Sequence, residues 1–144
     1  MTRPYKPTGI PSLIPYLIVR NAQESISFYK DACQFQLMKE PSVQNGQIIH
    51  VEMALGDSLF MMAPEGACAE MGKEKKSPKS QGVASGLTLY VYVPNVDEHY
   101  KNAKQKGAEI LSEPEDTFWG DRCYTLRDPD GYEWCFGTNT SQHK

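Results

Sequence analysis

Val19-Arg20-Asn21-Ala22-Gln23-Glu24 returns 74 residues later as Val93-Pro94-Asn95-Val96-Asp97-Glu98, and Gly46 meets Gly120 at the same spacing. Such a chain is two copies of one supersecondary unit, and each copy predicts the other. An alternating apolar run comes first, Tyr16-Leu17-Ile18-Val19 or Leu89-Tyr90-Val91-Tyr92-Val93, with the two-residue period of a strand. An Asn follows, with Glu three residues on: Asn21 and Glu24, then Asn95 and Glu98, the pattern of a helix N-cap. Beyond the cap, apolar residues move to helical spacing: Ala22, Ile26, Tyr29 and Cys33 in one copy, Val96, Tyr100 and Ala103 in the other. Gly107 supplies a helix stop.

A short strand and a hairpin complete each unit. The first hairpin has arms Gln47 to Leu55 and Ser58 to Met62, joined at Gly56-Asp57. The second has arms Asp121 to Arg127 and Tyr132 to Gly137, joined by Asp128-Pro129-Asp130-Gly131, where Pro suits the second position of a type I turn and Gly the fourth. The unit is βαβββ, present twice. Residues 10–63 form the first module, 86–140 the second, and 64–85 a connection rich in Gly, Lys, Ser and Glu that reads as a linker or as a flap over a ligand.

A net charge of −3 over 144 residues gives no reason to expect nucleic acid, and Lys73-Glu74-Lys75-Lys76 reads as a solvated loop. No apolar run approaches the about 20 residues that span a membrane, and Met1-Thr2-Arg3-Pro4 leads into no signal core. A cytoplasmic location is the expectation. Cys33, Cys68, Cys123 and Cys135 lack paired C-x-x-C spacing and read as reduced structural thiols.

The paired units, the opening Ile14-Pro15-Tyr16-Leu17-Ile18-Val19 before Ser27-Phe28-Tyr29-Lys30, and the closing Asp128-Pro129-Asp130-Gly131 hairpin resemble the vicinal oxygen chelate superfamily of glyoxalases, extradiol dioxygenases and bleomycin-resistance proteins. His50-Val51-Glu52, Gly56-Asp57-Ser58 and Phe118-Trp119-Gly120-Asp121-Arg122 look most like its PhnB-like branch. The resemblance covers residues 10 to 140. It implies an α+β fold in which curled mixed sheets surround a cleft with the helices outside, and a homodimer. It also implies four metal ligands, which fall at about Ile14, Met61, Thr88 and Cys135. None is His, Asp or Glu, so no metal site is predicted there; neighbouring Pro15, Met62, Leu87 and Leu89 are no better.

Strand alternation assigns the faces. Ile49, Val51, Met53 and Leu55 should pack under the helix, sending His50 and Glu52 to the cleft. The repeat carries His50 to Tyr124 and Ile48 to Arg122; pairing Arg127 with Tyr132 then places Tyr124 opposite Cys135 on the cleft side. Leu17, Val19, Leu89, Val91 and Val93 go inward, leaving Ile14, Tyr16, Ile18, Thr88, Tyr90 and Tyr92 toward the cleft, with Phe118 and Trp119 at one end. His99 falls on the exposed side of its helix and His143 in the tail.

Tyr16, Tyr90, Tyr92, Trp119, Tyr124 and Cys135 are therefore the candidate ligand-binding residues, suited to a planar or partly cationic organic molecule, unless these aromatics instead fill a core or a dimer contact. His50 and Glu52 are the candidate acid–base pair. The expected function is small-molecule binding of the bleomycin-resistance type, with no cofactor. The alternative is a metal-dependent lyase or isomerase of the glyoxalase type, with Zn, Ni, Mn or Fe in a displaced site around His50 and Glu52.

Overall fold

The Asn side chains cap both helices as the spacing predicts: Asn21 accepts from the Glu24 amide at 3.0 Å and Asn95 from the Glu98 amide at 3.1 Å. The computed structural model describes residues 3–67 and 75–141. The first module runs β1 (Tyr16–Val19), α1 (Ala22–Asp31), β2 (Gln36–Leu37), β3 (Ser42–Gln44), β4 (Gln47–Leu55) and β5 (Ser58–Pro64). After α2 (Pro78–Gln81), the second runs β6 (Thr88–Tyr92), α3 (Val96–Gln105), β7 (Glu109–Asp116), β8 (Asp121–Arg127) and β9 (Glu133–Asn139). Helices α1 and α3 lie 74 residues apart at both ends. The fold is α+β.

Each module forms a mixed sheet. In the first the order is β1-β5-β4-β2 with β3 also on β4; in the second it is β6-β9-β8-β7. The opening strand of each pairs in parallel with the closing strand, Tyr16 with Met61 and Tyr90 with Cys135, and the other pairs are antiparallel. Leu17, Val19, Val51, Met53, Val91, Val93, Leu126 and Phe136 join the inner faces of α1 and α3 in one core.

Three sequence expectations are corrected here. The turn forms as predicted, with the Gly131 amide on the Asp128 carbonyl at 3.1 Å. Gly131, however, takes φ +92° and adds a residue to the loop, so Arg127 pairs with Glu133 rather than Tyr132. A one-residue slip turns every side chain over. Tyr124 consequently lies opposite Phe136, fully buried on the helix side. The equivalents of Val51 and Met53 are then Tyr124 and Leu126, at a spacing of 73, while β1, β5 and the helices keep 74.

The second correction is His99, which is 3% exposed. Val96, His99 and Ala103, rather than Val96, Tyr100 and Ala103, form the fully buried stripe of α3. The Cys33 carbonyl only accepts, so His99 Nε2 carries the proton (2.9 Å) and Nδ1 accepts from the Tyr124 hydroxyl (2.7 Å). Burial holds this imidazole below its usual pKa. The third concerns β4, where Ser42 pairs with His50 and Val43 with Ile48. Ile49 is the bulged residue, and Ile48 packs on the core in its place.

The Asp128–Gly131 turn ties the modules together. Asp128 accepts from the hydroxyl of Tyr29 on α1, from Trp134 Nε1 at 3.1 Å, and from the amides of Asp130 and Tyr132 at 3.0 and 2.9 Å. Asp130 accepts from the Arg20 amide and Nε at 2.9 and 3.0 Å and from Ser25 at 3.3 Å. The Tyr132 hydroxyl donates to the Ile18 carbonyl at 2.9 Å. Helix α2 docks on the same turn: the Lys79 amide donates to the Asp130 carbonyl at 2.9 Å, and a Cβ on Gly131 would stand 3.1 Å from that amide nitrogen. One end of the 64–85 connection is thus fixed. Cys68 and His143 lie outside the described residues, as does part of the Lys73–Lys76 run.

Burial pushes the Asp128 carboxyl up to about 6, with Asp130 nearby adding to the shift. The folded state therefore holds a proton that the unfolded chain, with an ordinary Asp near pKa 3.9, has released. This group's contribution is fully present below about pH 4 and is lost as pH rises through about 6, a fall of about 3 kcal/mol. Urea unfolding at pH 4, 5, 6 and 7 should show the wild type's advantage over Asp128→Asn shrinking with rising pH.

Candidate functional site

The sheet faces turned away from the helices carry the polar and aromatic side chains, and the structure gathers them in two groups, one per sheet. On the first sheet the register sets Glu52, Met61 and Tyr16 side by side. The Tyr16 hydroxyl lies 2.9 Å from His50 Nδ1, and His50 Nε2 lies 2.9 Å from Glu52 Oε2. A carboxylate only accepts, so Nε2 carries the proton and Nδ1 accepts from Tyr16. Lys39, on the connection after β2, brings its ammonium to 3.5 Å from the same Glu52 oxygen. The His50 hydrogen bond and this ammonium hold the Glu52 carboxyl below its usual range, against a smaller opposing effect of burial. An open cavity of about 500 Å³ lies against Glu52, Met61 and Lys39, walled by the arm from Tyr5 to Ile14.

On the second sheet one carboxylate organises the aromatics. Asp121 Oδ2 accepts from the hydroxyls of Tyr90 (2.6 Å) and Tyr92 (2.7 Å) and from Trp119 Nε1 (3.2 Å), while Oδ1 accepts from Asn139 (3.2 Å). Tyr90 reaches it across β9, where Gly137 presents no side chain: a Cβ there would sit 3.3 Å from the Tyr90 hydroxyl. Trp119 Nε1 also lies 3.1 Å from that hydroxyl. The hydrogen bonds, Tyr90's first, hold the Asp121 carboxyl below the usual range, and it is 1% exposed. Burial and then the Asp121 bond raise Tyr90; for Tyr92 the Asp121 bond comes first. Both phenols therefore remain donors.

Cys135 shares this face, opposite Tyr90 and Thr125. Burial, then a hydrogen bond with Cys123, pushes its thiol up to about 12. Tyr124 belongs to neither group, being spent in the core with His99.

Asp121, Cys123 and Lys39 were not among the sequence candidates. Asp121 was legible in principle: counting back by twos from Cys135 through Thr125 and Cys123 reaches it, once the turn carries its extra residue. Lys39 sits in a connection without periodicity, and no pattern points to it.

The described residues of these two groups do not make a divalent-metal cage. Among the described residues no three of His, Cys, Asp and Glu gather at one point. At His50 and Glu52 both imidazole nitrogens are hydrogen-bonded, and the Lys39 ammonium lies 3.5 Å from Glu52 Oε2.

Comparison with known proteins agrees with the fold. An uncharacterized protein of Mycobacterium bovis is 28% identical over 127 residues, covering 88% of this chain and 82% of that protein, and one from Mycobacterium tuberculosis matches at 28% over 88% of this chain and 74% of its own length. The crystal structure of TioX from Micromonospora sp. ML1 superposes with a TM-score of 0.69 at 24% identity, covering 90% of this chain and 98% of that one. A glyoxalase/bleomycin resistance protein/dioxygenase from Nocardioides does so with 0.67 at 17%, covering 99% and 89%. The profile of the Glyoxalase/Bleomycin resistance protein/Dioxygenase superfamily matches residues 9–136, and the chain belongs to that superfamily.

Proposed function

We propose that this protein binds a small organic molecule on its open sheet faces, in the manner of a bleomycin-resistance protein of the PhnB-like type, as a cytoplasmic homodimer and without a tightly held metal. The observation that carries the reading is the wall of Tyr90, Tyr92 and Trp119: three large aromatics 41%, 61% and 51% exposed, yet each pinned by a hydrogen bond to Asp121. Ordinary exposed aromatics are not held in place; pre-organised ones lose little entropy when a ligand stacks on them. Phe118 beside Trp119 extends apolar surface that a second copy would cover.

A thermal-shift screen of aromatic and heteroaromatic compounds tests the reading. Hits should raise the melting temperature of the wild type and of a core control, Phe136→Leu, and lose that effect in Trp119→Ala and Tyr92→Ala. Equal shifts in all four proteins would sink it.

One observation favours a second reading. The Tyr16–His50–Glu52 chain is wired to pass a proton, with Glu52 orienting the imidazole and Tyr16 at its other nitrogen, as an isomerase or lyase requires. Elemental analysis of protein purified without chelator bears on its metal-dependent form. Stoichiometric Zn, Ni, Mn or Fe that disappears in His50→Ala would establish that form and displace simple binding.

A further inference from the structure

Asp121 raises a question of charge. Its carboxylate takes four side-chain donors, all neutral. No Lys or Arg pairs with it among the described residues. The adjacent Arg122 points to the other face, with Nε 3.2 Å from Asp97 and Nη1 3.3 Å from Asp116. Arg127, on the same face as Asp121, is spent at the far end of the sheet on Glu109 and Glu133. A full negative charge therefore sits under three exposed rings without a counter-ion.

The loop before it is built to hold that arrangement. The Thr117 amide donates to the Asp121 carbonyl at 2.7 Å, and the Asp121 amide to Thr117 Oγ1 at 3.1 Å, closing the turn that carries Trp119. Each ring donates toward the carboxylate, which draws electron density onto the rings and strengthens their negative faces. Both carboxylate oxygens are already engaged and the group is buried, so a hydrated metal ion has no open ligand position. A weakly hydrated cation stacking on the rings needs none.

We infer that the Tyr90, Tyr92, Trp119 and Asp121 cluster is an organic-cation site, selecting an alkylammonium or aromatic ammonium group over neutral and anionic aromatics. This deepens the ligand-binding reading and rests on it. Aromatic faces supply the contact and Asp121 supplies the sign of the charge accepted. Gly137 helps to place Tyr90, because a Cβ there would stand 3.3 Å from its hydroxyl and crowd its path across β9 to Asp121.

Calorimetric titration of the full chain with phenyltrimethylammonium, benzyl alcohol and benzoate provides the test. The wild type should bind the ammonium at least about tenfold more tightly than either of the others. Asp121→Asn should reduce that preference to within about twofold, and raising salt from 50 to 500 mM should weaken the ammonium alone. Gly137→Ala should weaken the ammonium by displacing Tyr90. Should Asp121→Asn not fold, Tyr92→Phe keeps the ring, removes one donor and should lower the preference in part. Binding of benzyl alcohol through Trp119 without preference for the cation overturns the inference and leaves the ligand-binding reading standing. Retention of the preference in a folded Asp121→Asn also overturns it. Failure of all three probes to bind the wild type defeats both.

Discussion

Asp128→Ala should lower stability by about 3–5 kcal/mol, read as the shift in the urea midpoint at pH 7 with an unchanged slope. The change strands the Tyr29 hydroxyl and Trp134 Nε1, both buried, along with the amides of Asp130 and Tyr132. Leaving a buried donor unpaired costs about 1–3 kcal/mol. Four of them outweigh the about 3 kcal/mol regained by removing a carboxylate that burial has pushed up to about 6. Asp128→Asn keeps one acceptor oxygen and should lose less. Tyr29→Phe separates the parts, since it deletes one hydrogen bond without stranding its partner's other three donors. A loss below about 1 kcal/mol in Asp128→Ala would mean that water replaces the carboxylate, and that the turn is no clamp.

That same turn explains how far the sequence could be read. Local signals with a mechanism of their own were legible: the two Asn caps, and the Pro and Gly of the Asp128–Gly131 turn. Each is set by a few neighbouring residues, and the caps recur in both copies. The face of β8 was not legible, because it depends on whether a four-residue turn or a turn plus one left-handed Gly joins two strands. The tetrad Asp128-Pro129-Asp130-Gly131 suits either. Choosing the shorter put Tyr124 on the open side and hid Asp121; the longer does the reverse.

His99 shows a different limit. On α3, Tyr100 and His99 are adjacent, and apolarity favours Tyr100 for the core. The imidazole wins because the Cys33 carbonyl and the Tyr124 hydroxyl satisfy both its nitrogens, and those partners lie 66 and 25 residues away in the chain. No local pattern contains that information. The first-sheet group was legible for the converse reason. Tyr16 on β1 and His50 and Glu52 on β4 flank β5, and the alternation within each strand puts them on one face despite the bulge at Ile49.

Trp134→Ala should cost about 3–5 kcal/mol and weaken the coupling of the modules as well as the core. Trp134 belongs to β9, yet its ring sits 5.3 Å from Tyr29, 5.5 Å from Phe35 and 5.2 Å from Phe60, all in the first module, and stacks on Phe136 of its own strand. It is the wedge by which the second sheet enters the first module's core, and its Nε1 also steadies Asp128. Trp134→Phe retains most ring contact and loses that donor, so it should cost about 1–2 kcal/mol. The chain has two tryptophans, and the other, Trp119, lies on the candidate ligand face. In Trp134→Ala, fluorescence therefore reports Trp119 alone while circular dichroism reports both modules. If Trp134 is the wedge, the two urea transitions separate in this variant and coincide in the wild type. Coincident transitions in Trp134→Ala would show that the Asp130 contacts to Arg20 and Ser25 hold the modules together without it.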